Sequence, residues 1–288
     1  MSASVEAMNV PLGFVGEAIE GTPRIRHHEF QQLRVLIAQL SGIDLGEHKK
    51  GLVVGRLGRR LRELGMHSFE EYYHRLCERN NSDERQTLLN LITTNETYFF
   101  REERHFSYLQ QHLLPSMSQV GELRVWSAAC SSGEEVYSLA MLIDDFRHGR
   151  GYHILGTDIS ERVLKKAQQA IYPMESVVRI PRKYLQEYCL QGVREQAGNL
   201  RVVRHIRNHV QFKKLNLNEH WPDVGRFHVI FLRNVMIYFS QETKRELIHK
   251  LSQQLHPGGY LIIGLSESLN GMSERFNVMA PSIYRLKN

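Results

Sequence analysis

The chain has 288 residues, enough to bury a full core with room for one large domain and a smaller one. Hydrophobic residues make up 42% and charged residues 24%, as in ordinary soluble globular proteins, and no apolar run approaches membrane-spanning length. A net charge of +6 favours anionic partners, either nucleic acid or an acidic protein surface.

The segment 1–22 carries Glu6 and Glu17 but no early basic cluster. It reads as a disordered tail rather than a secretory signal. The three cysteines, Cys77, Cys130 and Cys189, are widely spaced and odd in number. That pattern points to a reducing cytoplasm and against a zinc or disulfide framework.

Helical periodicity then begins. His28 to Leu40 spaces Phe30, Leu33, Ile37 and Leu40 on one face, with Gly42 as a stop. Lys49 to Leu64 repeats it with Val53, Leu57, Leu61 and Leu64. Its other side is crowded by Arg56, Arg59, Arg60 and Arg62, of which Arg56, Arg59 and Arg60 share a face at i, i+3 and i+4. Ser68 followed by Glu71 fits a capping box for a third helix, and Ser82 opens a fourth. Residues 23–92 therefore read as a small all-helical bundle. The remainder, 93–288, reads as an α/β domain. It opens on the polar-to-aromatic stretch Thr93 to Arg101, where Tyr98, Phe99 and Phe100 are expected mostly to pack.

The apolar run Leu123 to Ala129 enters a small-residue turn at Ser131-Ser132-Gly133. A helix pattern follows through Val136, Leu139, Ala140 and Ile143, and a second apolar run ends on Asp158. Strand, tight turn, helix, strand and acidic residue make the first half of a doubly wound, Rossmann-like nucleotide-binding unit. Further on, Leu200 to Val203 and Val210 to Lys213 look like short antiparallel strands inserted into the sheet, within a β-subdomain of about 172–214. Later strands are expected at Val229 to Leu232 and Tyr260 to Gly264, around a helix Glu242 to Leu255 closed by Pro257-Gly258-Gly259. A last strand is expected at Ser282 to Leu286.

The turn chemistry bears on the ligand. A dinucleotide site shows G-x-G-x-x-G, with bare helix-end N–H groups aimed at a pyrophosphate. Here one glycine is followed at once by Glu134 and Glu135, which oppose a phosphate at the helix N-terminus. They suit a ligand with a ribose and a cationic group, such as S-adenosyl-L-methionine. Asp158 is placed to accept hydrogen bonds from ribose hydroxyls. The histidines show no metal-ligand spacing, so no metal is expected.

Five segments in order, Thr-Asn-Glu-Thr-Tyr-Phe-Phe-Arg (94–101), Ala-Ala-Cys-Ser-Ser-Gly-Glu-Glu (128–135), Gly-Thr-Asp (156–158), Leu-Asn-Leu (215–217) and Arg-Asn-Val-Met-Ile-Tyr-Phe (233–239), closely resemble the bacterial chemotaxis receptor methyltransferases. The likeness runs from about Glu29 to the C-terminus. It departs at Val136, where members often carry proline, a change that affects only the helix start.

The resemblance implies methyl transfer to glutamate side chains of chemoreceptors, with S-adenosyl-L-homocysteine as product. It places cofactor contacts at Asn95, Thr97, Arg101, Glu135, Asp158, Asn216, Leu217, Leu232 and Arg233, and puts Tyr238 near the transferring methyl. Arg101 and Tyr238 are the candidates for work beside the reacting groups. In the family the inserted strands dock a receptor C-terminal peptide in some members by strand addition. The implied partner is the cytoplasmic domain of methyl-accepting chemoreceptors, with docking expected on Arg56, Arg59 and Arg62. A monomer recruited from the cytoplasm to receptor arrays is expected, without nucleic acid and without membrane insertion. A nucleic-acid methyltransferase remains a competing reading, as does a catalytically idle S-adenosylmethionine-binding module. Against the former, Arg233-Asn234-Val235-Met236 lacks the proline of base-amino methylases.

Overall fold

The computed structural model describes residues 23–148 and 150–288; the expected tail, 1–22, lies outside them. The chain divides into two compact units. Among the described residues, one holds 23–33 together with Gly46–Asn81, the other Arg34–Leu45 together with the described residues of 82–288.

In the first unit, the start of α1 (His27–Ser41) joins α2 (Lys50–Glu63) and α3 (Phe69–Cys77). Phe30, Val53, Leu57, Leu61, Phe69, Tyr72 and Leu76 are all fully buried, so the apolar stripes read from periodicity form this small core. Ser68 caps α3 by accepting from the Glu71 N–H at 3.2 Å, but Glu71 reaches back to His67 N at 2.8 Å, one residue beyond the usual capping box. Glu29 is buried with its carboxylate on Arg26 N (2.6 Å), Arg26 Nη2 (3.0 Å) and Glu70 N (3.2 Å). Burial pushes its pKa up, but those donors outweigh it and leave the group below its usual range. On α2, Arg59 and Arg60 both pair with Glu63, at 2.9 and 3.3 Å.

The second unit is built on a seven-stranded sheet. Its strands are β1 (Leu123–Ser127), β2 (Tyr152–Asp158), β6 (Val210–Lys214), β7 (Phe227–Leu232), β8 (Leu255–Ile263), β9 (Phe276–Ala280) and β10 (Ile283–Leu286), in the order β6-β2-β1-β7-β8-β10-β9. The first five in that order run parallel, and β10 is antiparallel to both β8 and β9. Successive residues point to opposite faces and both faces are covered, so the strands read as continuous apolar runs. Val125, Ile154, Val229, Phe231 and Ile262 pack toward α7 (Glu134–Arg147). Trp126, Leu155, Ile230, Leu232 and Leu261 pack on the other side against Leu247, Ile248 and Leu251 of α11 (Gln241–Gln253). The strand order reverses at β1 between β2 and β7, which opens a crevice at the carboxyl ends of those strands.

A separate three-stranded antiparallel sheet has the order β3 (Ile171–Pro173), β5 (Asn199–Val202), β4 (Cys189–Gln191). The expected insertion is present, with one change. Val210–Lys214 is not one of its antiparallel strands but β6, paired in parallel with β2 on the edge of the main sheet. A second change concerns Pro257-Gly258-Gly259. The helix before it already ends at Gln253, and the proline and glycines lie within β8, where the register with β7 slips between Phe227 and Val229. Gly258 takes a φ of +70° there. β9 was not foreseen. Among the described residues, no helix is long and apolar enough to cross a membrane.

Candidate active site

The crevice is built from the turn after β1. Ser131 and Gly133 both take positive φ, 49° and 93°. A Cβ on Gly133 would meet Ala167 Cβ at 2.8 Å and the Tyr172 hydroxyl at 3.1 Å, so both backbone and space demand glycine. This turn delivers the Ser131 N–H to Asp158 Oδ2 at 2.9 Å, and Ser160 N donates to Oδ1 at the same distance. Asp158 thus sits buried at the carboxyl end of β2. Burial pushes its pKa up, against the backbone donors. With Ile159 also donating, the carboxylate keeps acceptor capacity for one ligand hydroxyl. The Ser131 hydroxyl donates to Asn95 O at 3.0 Å, and Leu215 N donates to Asp158 O at 3.0 Å. Asn95 and the Leu215–Leu217 segment are thereby tied to the same strand end.

The two adjacent glutamates go separate ways. Glu134 is buried and accepts from Ser132 Oγ at 2.7 Å, its pKa raised by burial. Glu135 accepts from Ser127 Oγ (2.7 Å) and from Arg233 Nη1 (2.8 Å). Arg233, buried at the end of β7, also pairs with Glu102 at 3.1 Å and donates to Arg101 O. Its two terminal nitrogens serve two carboxylates and a carbonyl, while its buried Nε has no hydrogen-bond partner among the described residues.

The Asn216 amide donates to Leu40 O (2.6 Å) and Glu219 (2.8 Å), and its Oδ1 accepts from Asn218 N at 3.0 Å. Trp221 Nε1 holds Asn216 O at 3.1 Å. That loop is therefore rigid and presents main chain beside the buried Leu217. An apolar slot edged with backbone donors is what an adenine requires.

Arg101 is half-buried, donates to Glu96 O at 2.7 Å and lies 5.7 Å from the Tyr98 ring. Thr97 and Tyr238 are also half-buried. The Tyr238 carbonyl accepts from Asp44 N at 2.8 Å. Phe99 and Phe100 are buried in the core, as expected, whereas Tyr98 is half-buried with the Arg179 guanidinium 4.0 Å over its ring.

Several polar residues of the site carry no sequence signal. Glu102 accepts from Asn234 Nδ2 (3.1 Å) and Leu265 N (3.1 Å) as well as Arg233. In the Arg101-Glu102-Glu103 run it looks like any acidic residue opening a helix. Phe100, Glu102 and Asn234 all take positive φ, which for Phe100 and Glu102 costs about 1–2 kcal/mol each. His105 lies beneath, its Nε2 2.7 Å from Ser282 Oγ. Burial, and then the Arg233 charge, push its pKa down to about 4. Among the described residues no cluster of His, Cys, Asp or Glu is arranged to hold a metal.

A doubly wound sheet with an acidic residue closing β2 and a left-handed glycine turn after β1 fits the class of S-adenosylmethionine-dependent methyltransferases. Comparison with known proteins agrees. Residues 95–284 match the family model "CheR methyltransferase, SAM binding domain", and 28–93 match "CheR methyltransferase, all-alpha domain". The chain belongs to the CheR methyltransferase family. It is 38% identical over 284 residues to a chemotaxis protein methyltransferase of Escherichia coli, covering 96% of this chain and 98% of that one. It is 36% identical to that of Borreliella burgdorferi, covering 91% and 95%. With chemotaxis protein methyltransferase Cher2 of Pseudomonas putida the identity is 34%, over 90% and 98%.

Proposed function

We propose that this protein transfers the methyl group of S-adenosyl-L-methionine to glutamate carboxylates of chemoreceptors, giving glutamate methyl esters and S-adenosyl-L-homocysteine in chemotactic adaptation. The observation that carries the reading is Asp158, held by Ser131 and Ser160 N–H groups beside the Gly133 turn, where a ribose hydroxyl completes its hydrogen bonding. Family membership and the names of the relatives support the rest.

The bound cofactor supplies an activated sulfonium methyl. The acceptor glutamate is ionised at neutral pH and is already a nucleophile. The protein's work is then alignment and removal of water. Arg101 is assigned to the methionine carboxylate, since a strong clamp on the nucleophile would blunt it. Tyr238 is assigned to the reacting geometry. Asn95, Thr97, Glu135, Asp158, Asn216, Leu217, Leu232 and Arg233 form the cofactor site, Asn216 through main chain.

The receptor is proposed to dock its acidic helices on Arg56, Arg59 and Arg62 of α2. β4 is an edge of the small sheet, and Leu190 on it and the nearby Val193 are both exposed. These features support addition of a receptor C-terminal strand there. We assign the protein to the cytoplasm, as a monomer recruited to receptor arrays, without a metal and without nucleic acid as substrate. The test incubates the protein with radiolabelled S-adenosylmethionine and, in parallel, receptor membranes, RNA and DNA. Base-labile label on the receptor is expected. Label on nucleic acid, or binding without transfer, overturns the proposal.

A further inference from the structure

Beyond the strand ends already described lies Glu267, in the loop after β8. It is half-buried, and its partners are main-chain donors. Oε2 accepts from Gly264 N at 2.7 Å and Asn234 N at 2.9 Å, and Oε1 accepts from Ile237 N at 3.3 Å. One carboxylate therefore ties the start of its own loop to two points of the segment Arg233–Tyr238, which leaves β7. That segment needs an external support. Asn234 is left-handed at φ 57°, and Val235 leads into a single 3₁₀ turn, Met236–Tyr238. No regular ladder holds such a backbone, and its N–H groups point at the carboxylate instead.

The fit is close. A Cβ on Gly264 would stand 2.8 Å from Glu267 Oε2, 2.7 Å from Asn234 Nδ2 and 3.0 Å from Asn234 N, so only glycine lets the loops approach. Glu102 grips the same place from the other side, through Asn234 Nδ2 and Leu265 N.

We infer that Glu267 is a positioning residue for methyl transfer, holding the Asn234–Tyr238 segment in the conformation that the reaction requires. It touches neither substrate nor cofactor. The inference rests on the assignment of Tyr238 to the reacting geometry made above.

Two variants test it. Glu267→Gln keeps length and one acceptor oxygen. It can retain the Gly264 and Asn234 bonds, but it turns an amide NH2 toward Ile237 N, donor against donor. Glu267→Met keeps bulk and removes every acceptor. Both are compared with the unaltered full-length protein for thermal midpoint, calorimetric affinity for S-adenosylhomocysteine, and kcat and KM for labelled methyl transfer to receptor membranes. Misplacing the segment should lower kcat on the order of tenfold to a hundredfold. Receptor KM and S-adenosylhomocysteine affinity should stay near those of the unaltered protein, with Met worse than Gln.

Tyr238→Phe is measured alone and combined with Glu267→Gln. If Glu267 acts through this segment, the hydroxyl's contribution to kcat shrinks in the Gln background. Unchanged kcat in both Glu267 variants overturns the inference. So does a fall in kcat matched by a fall in melting point and in cofactor affinity, because that marks a purely structural brace. Full additivity with an active Tyr238 hydroxyl also overturns it. Normal turnover by Tyr238→Phe in the otherwise unaltered protein overturns instead the role given to the tyrosine. The Glu267 variants are then judged on kcat, stability and affinity alone.

Discussion

Asp158 is the residue to which we assign recognition of the cofactor's ribose. Its oxygens are held by main-chain N–H groups, so a ribose finds an acceptor already oriented. Asp158→Ala should weaken S-adenosylmethionine binding by about 1–3 kcal/mol, read by calorimetry on folded protein. Unchanged affinity would remove the residue from the site. Arg233 presents a different case. Its guanidinium is 2% exposed and lies between Glu135 and Glu102. Removing it leaves two largely buried carboxylates, Glu102 and Glu135, without their cation. Arg233→Ala should therefore cost about 3–5 kcal/mol of stability in urea unfolding, more than any direct effect on the cofactor. A loss below 1 kcal/mol would show that the carboxylates find water or another partner.

At the scale of elements, α5 (Glu103–Tyr108) carries a buried histidine that links stability to pH. His105 on α5 is buried between Ser282, Glu102 and Arg233, and its pKa is pushed down to about 4. A histidine with a depressed folded pKa leaves the unfolded chain binding the proton first. Its contribution to stability is fully present above about pH 6.5 and is lost progressively as the pH falls toward 4. His153, His228 and His256 act in the same direction. Burial lowers each, with Arg124 next for His153, His256 for His228 and Arg226 for His256. Asp158, Glu134 and Glu267, raised by burial, act in the opposite direction, so the test is the difference between proteins: from pH 7 to pH 5 the unaltered protein should lose more stability than His105→Gln. A pH dependence identical in the variant would mean that His105 is not desolvated. In the first unit, Ser68→Ala should cost about 1 kcal/mol through loss of the α3 cap, measured by chemical unfolding.

For the molecule as a whole, the test is docking. Arg56, Arg59 and Arg62 stand on α2 away from the stripe that Val53, Leu57 and Leu61 bury. Reversing Arg56, Arg59 and Arg62 to Glu should abolish receptor methylation and leave S-adenosylmethionine affinity intact. In the unaltered protein, methylation should weaken as salt rises, because exposed charge pairs are screened over about 8–10 Å at physiological ionic strength. Normal methylation by the triple variant would return this face to being a solvated surface.

Much of the architecture was legible because it rests on short-range patterns. Period-3.6 stripes marked α1, α2 and α3, and two apolar runs around Ser131-Ser132-Gly133 marked β1, α7 and β2 down to the closing Asp158. What escaped is what depends on distant partners. Val210–Lys214 shows the composition of any short strand, and only its neighbour β2 makes it part of the main sheet. Glu134 and Glu135 are adjacent and chemically alike. Helix geometry turns one to Ser132 and the other to Arg233, 98 positions away. The Asn216 side chain belongs to Leu40, and Glu267 braces a loop 30 residues earlier, neither with any local sign. The sequence by itself determined where chain direction changes and which faces are apolar, because backbone preferences and burial act within a few residues. Only the tertiary structure decided which polar groups meet, because a buried hydrogen bond depends on ångström-scale distances between segments that the sheet, not the local chain, brings together.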